Sequence, residues 1–176
     1  MSGTGPIGIR AASPADVEQI HAMIVELATY EQSADQVTGT VEQLGGSLFG
    51  AHPSAEALIV EDDGATAGFA LFYTSFSTWE CLPGIWLEDL FVRPEHRRAG
   101  VGRLLLAELA RIAIARGCTR LEWNALDWNE LALGFYERLG ATRLPEWDLH
   151  RLAGSALHRV ADGDAPGAPA WPRSPK

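Results

Sequence analysis

The chain has 176 residues, 47% hydrophobic and 21% charged, with a formal net charge of −9. That length suits one domain with a substantial core; the acidity argues against a nucleic-acid partner, and no apolar run approaches the roughly 20 residues of a membrane span. Two cysteines without a CxxC partner and five scattered histidines give neither a disulfide frame nor metal-ligand spacing. With no secretory layout in Met1 to Arg10, the expectation is a cytoplasmic protein without metal, membrane or nucleic acid.

Ile7 to Arg10 reads as a short strand. Ser13, Pro14 and Asp16 then open a helix, supplying a cap, a first-turn proline and a first-turn acid. Val17, Ile20, Ile24 and Leu27 mark its buried face. A second, shorter helix with polar connections falls between Glu31 and Gly50. Ala57 to Val60 and Gly68 to Tyr73 read as strands of a hairpin turning at Asp62, Asp63 and Gly64. Ile85 to Val92, apolar at both alternating sets of positions, is the central strand. Val101, Leu105, Leu109 and Ile112 give the following helix an apolar stripe, with Gly117 at its stop. Arg120 to Asn124 is a further strand. Asn129 caps a helix that buries Ala132, Phe135 and Leu139 and ends at Gly140. A last strand near Trp147 to Leu152 and a helical turn from Ser155 complete a domain over residues 1–161. Residues 162–176, rich in Pro, Ala and Gly, read as a disordered tail in which Trp171 could dock on the domain. This order of elements predicts an α+β fold with one mostly antiparallel sheet and helices on both faces.

Charge is unevenly spread. Residues 1 to 92 hold thirteen acids and one base, Arg10, a balance of −12; Arg93 to Arg120 hold seven arginines against Glu95 and Glu108, a balance of +5. A basic segment suits a phosphorylated ligand and an acidic half a cationic one, although surface solvation also accounts for acidity. Within the basic segment, Arg97, Arg98, Ala99, Gly100, Val101 and Gly102 form a glycine turn between strand and helix. Such a turn aims backbone N–H groups and a helix dipole at an anion. It is not a nucleotide P-loop, because Arg103 and Leu104 follow Gly102, nor a dinucleotide fingerprint, because Leu105 stands where the third glycine belongs. On its own it also fits an ordinary strand-to-helix connection.

Two adjacent carboxylates, Glu88 and Asp89, interrupt the central strand. Burying them is costly unless they are paired, solvated by a cleft or functional. Strand alternation predicts that they point to opposite faces. Tyr136 lies seven residues after Asn129, so both fall on one helix face. A phenol there is able to protonate a departing thiolate, and core packing is the simpler reading of a Tyr beside Phe135.

Taken together, Leu87 to Val92, Arg97 to Gly102, Leu126 to Asn129 and Phe135 to Ala141 resemble the diamine branch (spermidine/spermine and thialysine acetyltransferases) of the GNAT N-acetyltransferases. Ile9 and Arg10, the run Glu26 to Glu31, and Phe49 to Pro53 agree, so the likeness covers residue 7 to about residue 161. The resemblance implies a GNAT sheet with a splayed strand pair, and acetyl-CoA as cosubstrate. Leu90, Phe91 and Val92 would pair with its pantetheine arm. Arg97, Arg98, Ala99, Gly100, Val101, Gly102 and Arg103 would form the pyrophosphate loop, mainly through main-chain N–H groups. Asn129 would bond the cofactor, and Tyr136 would protonate the leaving thiolate. Glu88 would help deprotonate the amine, with Asp89, Tyr30, Glu31 and Trp79 at the substrate. The resemblance also implies a homodimer and a small cationic amine acceptor: a diamine, a polyamine or a lysine-like amino acid. The alternatives are acetylation of a protein lysine or N-terminus, and a non-catalytic acyl-CoA-binding module. One departure stands out: Ser77 and Thr78, just before Trp79, are neutral where polyamine enzymes carry an acid, although Glu80 follows. That disfavours long polyamines, and the spelling Leu126 to Asn129 looks closer to the thialysine type.

Overall fold

Near-continuous apolar runs between Ala57 and Phe91 dictate the scaffold, because a strand covered on both faces is buried at successive positions, as β2 and β3 are. A computed structural model describes residues 7–97 and 100–163. In chain order the regular elements are β1 (Gly8–Ala11), α1 (Val17–Tyr30), α2 (Val41–Phe49), β2 (Glu56–Asp62), β3 (Ala65–Ser77), β4 (Leu82–Val92), α3 (Val101–Ala115), β5 (Leu121–Trp123), α4 (Glu130–Arg138) and α5 (Gly154–Ala161). Two compact units divide the chain, Met1–Leu126 and Asp127–Lys176. No described helix is long and apolar enough to cross a membrane. Arg98, Ala99, the tail from residue 164 and its Trp171 lie outside the described residues.

The sheet runs in order β1-β2-β3-β4-β5. All neighbours are antiparallel except β4 and β5, which are parallel. The expected α+β architecture is therefore observed. The β2–β3 hairpin closes through Asp63 and Gly64, whose positive φ angles of 52° and 77° match the twist of the flanking strands. At Gly68 a side chain would bring Cβ within 2.3 Å of the Phe91 carbonyl oxygen, so glycine permits the close approach of β3 to β4.

One face of the sheet carries Ala57, Ile59, Phe69, Leu71 and Phe91 against Ile20 and Met23 of α1 and Leu48 of α2. Each large side chain buried there is worth roughly 1.5–3 kcal/mol relative to exposure. That packing fixes where α1 ends, and α1 ends at Tyr30 and Glu31. Met23 takes a fully buried place in this core, while Ile24 and Leu27 pack only partly buried at its margin. On the opposite face the Arg116 guanidinium at the end of α3 sits 5.9 Å from the Phe72 ring centre. α3 itself buries Val101, Leu105, Leu106, Leu109 and Ala113, with Ile112 only half-buried. It stops in a Schellman motif, in which Cys118 N–H bonds the Ala113 carbonyl and Gly117 N–H that of Ile114.

Two expectations in the second unit fail. Trp147 to Leu152 is irregular rather than a strand, with Trp147 and Leu149 largely exposed. Alternation specifies a strand only where a neighbouring strand takes up its hydrogen bonds. The expected buried face of α4 is half-buried at Ala132 and Phe135 and exposed at Leu139. Between Glu31 and Thr40 there is a short 3-10 turn, Ala34–Gln36, so the second helix is confined to α2.

Candidate active site

β4 is paired on both sides only along its first half. Ile85, Trp86 and Leu87 match Leu121, Glu122 and Trp123 of β5, and the parallel ladder ends there. From Glu88 to Val92 the described strands leave β4 paired on the β3 side alone. Unpaired main-chain donors and acceptors along such an edge are a template for an extended ligand. Leu90, Phe91 and Val92 all sit on it.

The same strand carries an irregularity that alternation does not reveal. Phe72 faces Leu87, but Leu71 faces Asp89, so Glu88 is an extra residue in β4. The expectation that Glu88 and Asp89 point to opposite faces is overturned. Asp89 lies opposite Leu71, a member of the α1-side core. Trp86 lies opposite Tyr73, two residues further on that same β3 face, and its indole Nε1 donates to Glu88 Oε2 at 3.1 Å. The bulge thus turns both carboxylates toward the side covered by α1. Glu31 adds a third from the end of α1. Burial and the negative charges of Glu88 and Glu31 push the Asp89 carboxyl up to about 6. Burial also raises Glu31, and burial together with Glu88 raises the Tyr73 phenol. Such a pocket of unneutralised acids lowers its own energy by accepting a cation. Tyr73 and Trp86 belong to this wall as well, although the sequence reading did not single them out; Tyr73 stands two residues after Leu71 and Trp86 two before Glu88, the spacing of one strand face.

The anion turn is anchored before it begins. Arg93 donates to both Glu26 oxygens, at 3.2 and 2.9 Å, and to the Thr66 carbonyl at 3.0 Å. His96 Nδ1 lies 2.8 Å from Asp62 Oδ2. Arg97 Nε donates to the Val92 carbonyl at 2.9 Å, with its guanidinium over the Tyr30 ring. Gly100 then caps α3 at φ 81°, a left-handed conformation that a side chain would strain. Among the described residues no side chain caps this end. The first intrahelical bond there runs from Leu104 N–H to the Gly100 carbonyl. The N–H groups of Val101, Gly102 and Arg103 precede it and remain for an anion, aided by the helix dipole. Of the arginines flanking the turn, Arg93 is already paired with Glu26. Arg103 makes no ion pair among the described residues. The turn and the open edge together fit a phosphorylated ligand with an extended arm.

Trp79 caps the β3–β4 hairpin and is 87% exposed. The neighbouring Glu80 carboxylate accepts a hydrogen bond from the Thr119 hydroxyl. In the second unit, Asn129 Oδ1 accepts from Ala132 N–H at 3.2 Å, so the side chain caps α4 and leaves its amide nitrogen for a ligand. Tyr136 is half-buried, its ring centre 5.3 Å from that of Phe135. Its carbonyl closes the helix by accepting from Ala141 N–H.

The open strand edge and the glycine-led helix start suit an extended phosphorylated ligand such as an acyl carrier, and the chain belongs to the acetyltransferase (GNAT) family, whose model matches residues 20–141. It is an N-acetyltransferase, as the resemblance implied. Among curated relatives, thialysine N-epsilon-acetyltransferase of Bos taurus is 37% identical over 164 residues, covering 87% of this chain and 96% of that protein. L-ornithine N5-acetyltransferase of Arabidopsis thaliana is 30% identical over 197 residues, covering 86% of each. Among solved structures, an integron cassette protein from the mobile metagenome of V. cholerae superposes with a TM-score of 0.74 at 26% identity, covering 88% of this chain and 97% of that one.

Proposed function

We propose that this enzyme transfers the acetyl group of acetyl-CoA to a primary amine of a small cationic acceptor, by direct attack within a ternary complex. The observation that carries this reading is the set of three carboxylates, Glu31, Glu88 and Asp89, gathered on the α1 side of β4 where its open edge begins. A primary alkylammonium titrates near 10 and cannot attack until it has lost a proton. Asp89 and Glu31 bind the cation, and Glu88, the exposed member, passes the proton to solvent. Leu90, Phe91 and Val92 hold the pantetheine arm, and the main-chain N–H groups of residues 98–103 with Asn129 hold the rest of acetyl-CoA, the Arg97 N–H being bonded to the Pro94 carbonyl. The amine nitrogen then bonds the carbonyl carbon, the carbon–sulfur bond breaks, and Tyr136 gives the sulfur its proton. The proton shed by nitrogen restores the phenol through solvent. No enzyme nucleophile is needed.

The acceptor is a short amine or basic amino acid. Ser77 and Thr78 are neutral and Glu80 is bonded to Thr119, so the hairpin beside Trp79 offers little to the far ammonium of a long polyamine. The substrates named for the relatives, thialysine and ornithine, support that size. The same reading makes the protein a cytoplasmic homodimer, the assembly being checked by sedimentation. Purified protein with acetyl-CoA and a panel of amines, assayed for free thiol, tests the activity. Release with ornithine, lysine or thialysine is expected. Tight coenzyme A binding without release from any amine would instead identify a silent acyl-CoA module.

A further inference from the structure

A guanidinium is planar, weakly hydrated and suited to aromatic faces. Arg97 opens the anion turn, yet its side chain is occupied away from the helix N-terminus. Its Cζ lies 5.0 Å from the Tyr30 ring centre and 5.8 Å from that of Phe91, while Nε donates to the Val92 carbonyl at 2.9 Å. A hollow of about 300 Å³ lies here, walled by Val25, Thr29 and Tyr30 of α1 and by Phe91, Pro94 and Arg97. The last turn of α1 is therefore not packed flush against the end of β4, and Arg97 bridges the gap. One turn earlier on α1, Glu26 is held by Arg93. Glu26 and Tyr30 are four residues apart on the helix, and so are Arg93 and Arg97 in the segment that grips them. Glu31, which contributes negative charge at Asp89, is joined to Tyr30 by one peptide bond.

We infer that Arg97 is a positioning residue whose side chain sets Tyr30 and Glu31 at the amine site, rather than a side-chain ligand of the cofactor. It joins the turn that receives the phosphates to the helix end that receives the amine. The inference rests on the amine-acetyltransferase reading for its kinetic test and on geometry alone for its structural test.

The experiment uses the full chain as Arg97→Met, which keeps the stem and removes the fork, and as Arg97→Lys. With a short amine as acceptor, Arg97→Met should raise the amine KM roughly five- to twentyfold, the loss expected from one cation–π contact and one hydrogen bond. The acetyl-CoA KM should stay within about twofold, because that ligand is held by main-chain groups. Tyr30→Leu should raise the amine KM similarly, and the double variant should add little further. A raised acetyl-CoA KM with an unchanged amine KM would overturn the inference, as would fully additive effects. Hydrogen exchange supplies the second readout: Arg97→Met should accelerate exchange of the amides of Glu31 and Ser33, which close the end of α1 on Leu27 and Ala28. Unchanged exchange there contradicts the bridge whether or not the wild type acetylates any amine. Arg97→Lys, which keeps the charge, carries both measurements should Arg97→Met fail to fold.

Discussion

The two compact units hold their chemical groups by different means. In residues 7–126, the carboxylates and the open edge are fixed by a buried sheet, with Ile59, Phe69 and Ile20 wholly inaccessible. In residues 127–163 no described residue is buried, and α4 is set by its ends: the Asn129 cap at one, and at the other a Schellman motif closing on Tyr136 and Glu137. A position fixed by a core resists surface change but fails when the core is disturbed. A position fixed by caps fails through a single hydrogen bond.

The largest expected effect falls in the second unit. Tyr136→Phe should lower kcat by roughly two to four orders of magnitude if proton donation limits turnover. Acetyl-CoA affinity, measured by calorimetry, should hardly change; wild-type turnover would remove Tyr136 from the mechanism. Next comes the scaffold of the first unit. Gly68→Ala places Cβ 2.3 Å from a backbone oxygen, and should cost about 1–3 kcal/mol in denaturant unfolding as β3 and β4 separate. An unaffected midpoint would mean the strands yield easily.

Asp89→Asn separates function from stability. Its carboxyl is pushed from 3.8 up to about 6, so the folded state binds its proton more tightly than the unfolded chain does. Stability from this group is full below about pH 4 and is lost as pH rises through 6. The variant should therefore melt higher than wild type at pH 8, by an amount on the order of 1–3 kcal/mol, and match it near pH 3.5. Its activity should fall at every pH above 6. A variant less stable at pH 8 would show that the charge is neutralised in the fold. The smallest effect should come from Asn129→Ala, about 1 kcal/mol of helix stability. Seen as faster exchange across α4, it should leave β4 untouched; if β4 loosens as well, the contrast between core-held and cap-held positions does not stand.

The β2–β3 hairpin, the α3 stripe with its Gly117 stop and the strand-to-helix turn were legible because each depends on local spacing. The bulge was not. Ser77 through Phe72 pair with Leu82 through Leu87 in one register, and Leu71 through Gly68 pair with Asp89 through Val92 in another, shifted by one residue. Nothing in Leu87 to Val92 marks that shift, since neither glycine nor proline stands there; it is a property of two strands together. For the same reason the alternation of Trp147 to Leu152 was read as a strand although it takes no ladder. Tyr30 and Glu31 entered through family likeness. Their link to Arg97 depends on where α1 ends against β4, which no local pattern encodes.

The carboxylate face carries the proposed chemistry, and one measurement addresses it directly. Thiol release from acetyl-CoA with ornithine as acceptor is followed for wild type and for the Glu88→Gln, Asp89→Asn double variant, after both are shown to bind acetyl-CoA equally. Release by the wild type is expected, with a loss of at least about a hundredfold in kcat/KM for the double variant, near the scale of removed acid–base assistance. Equal rates in the two proteins would contradict the proposed chemistry.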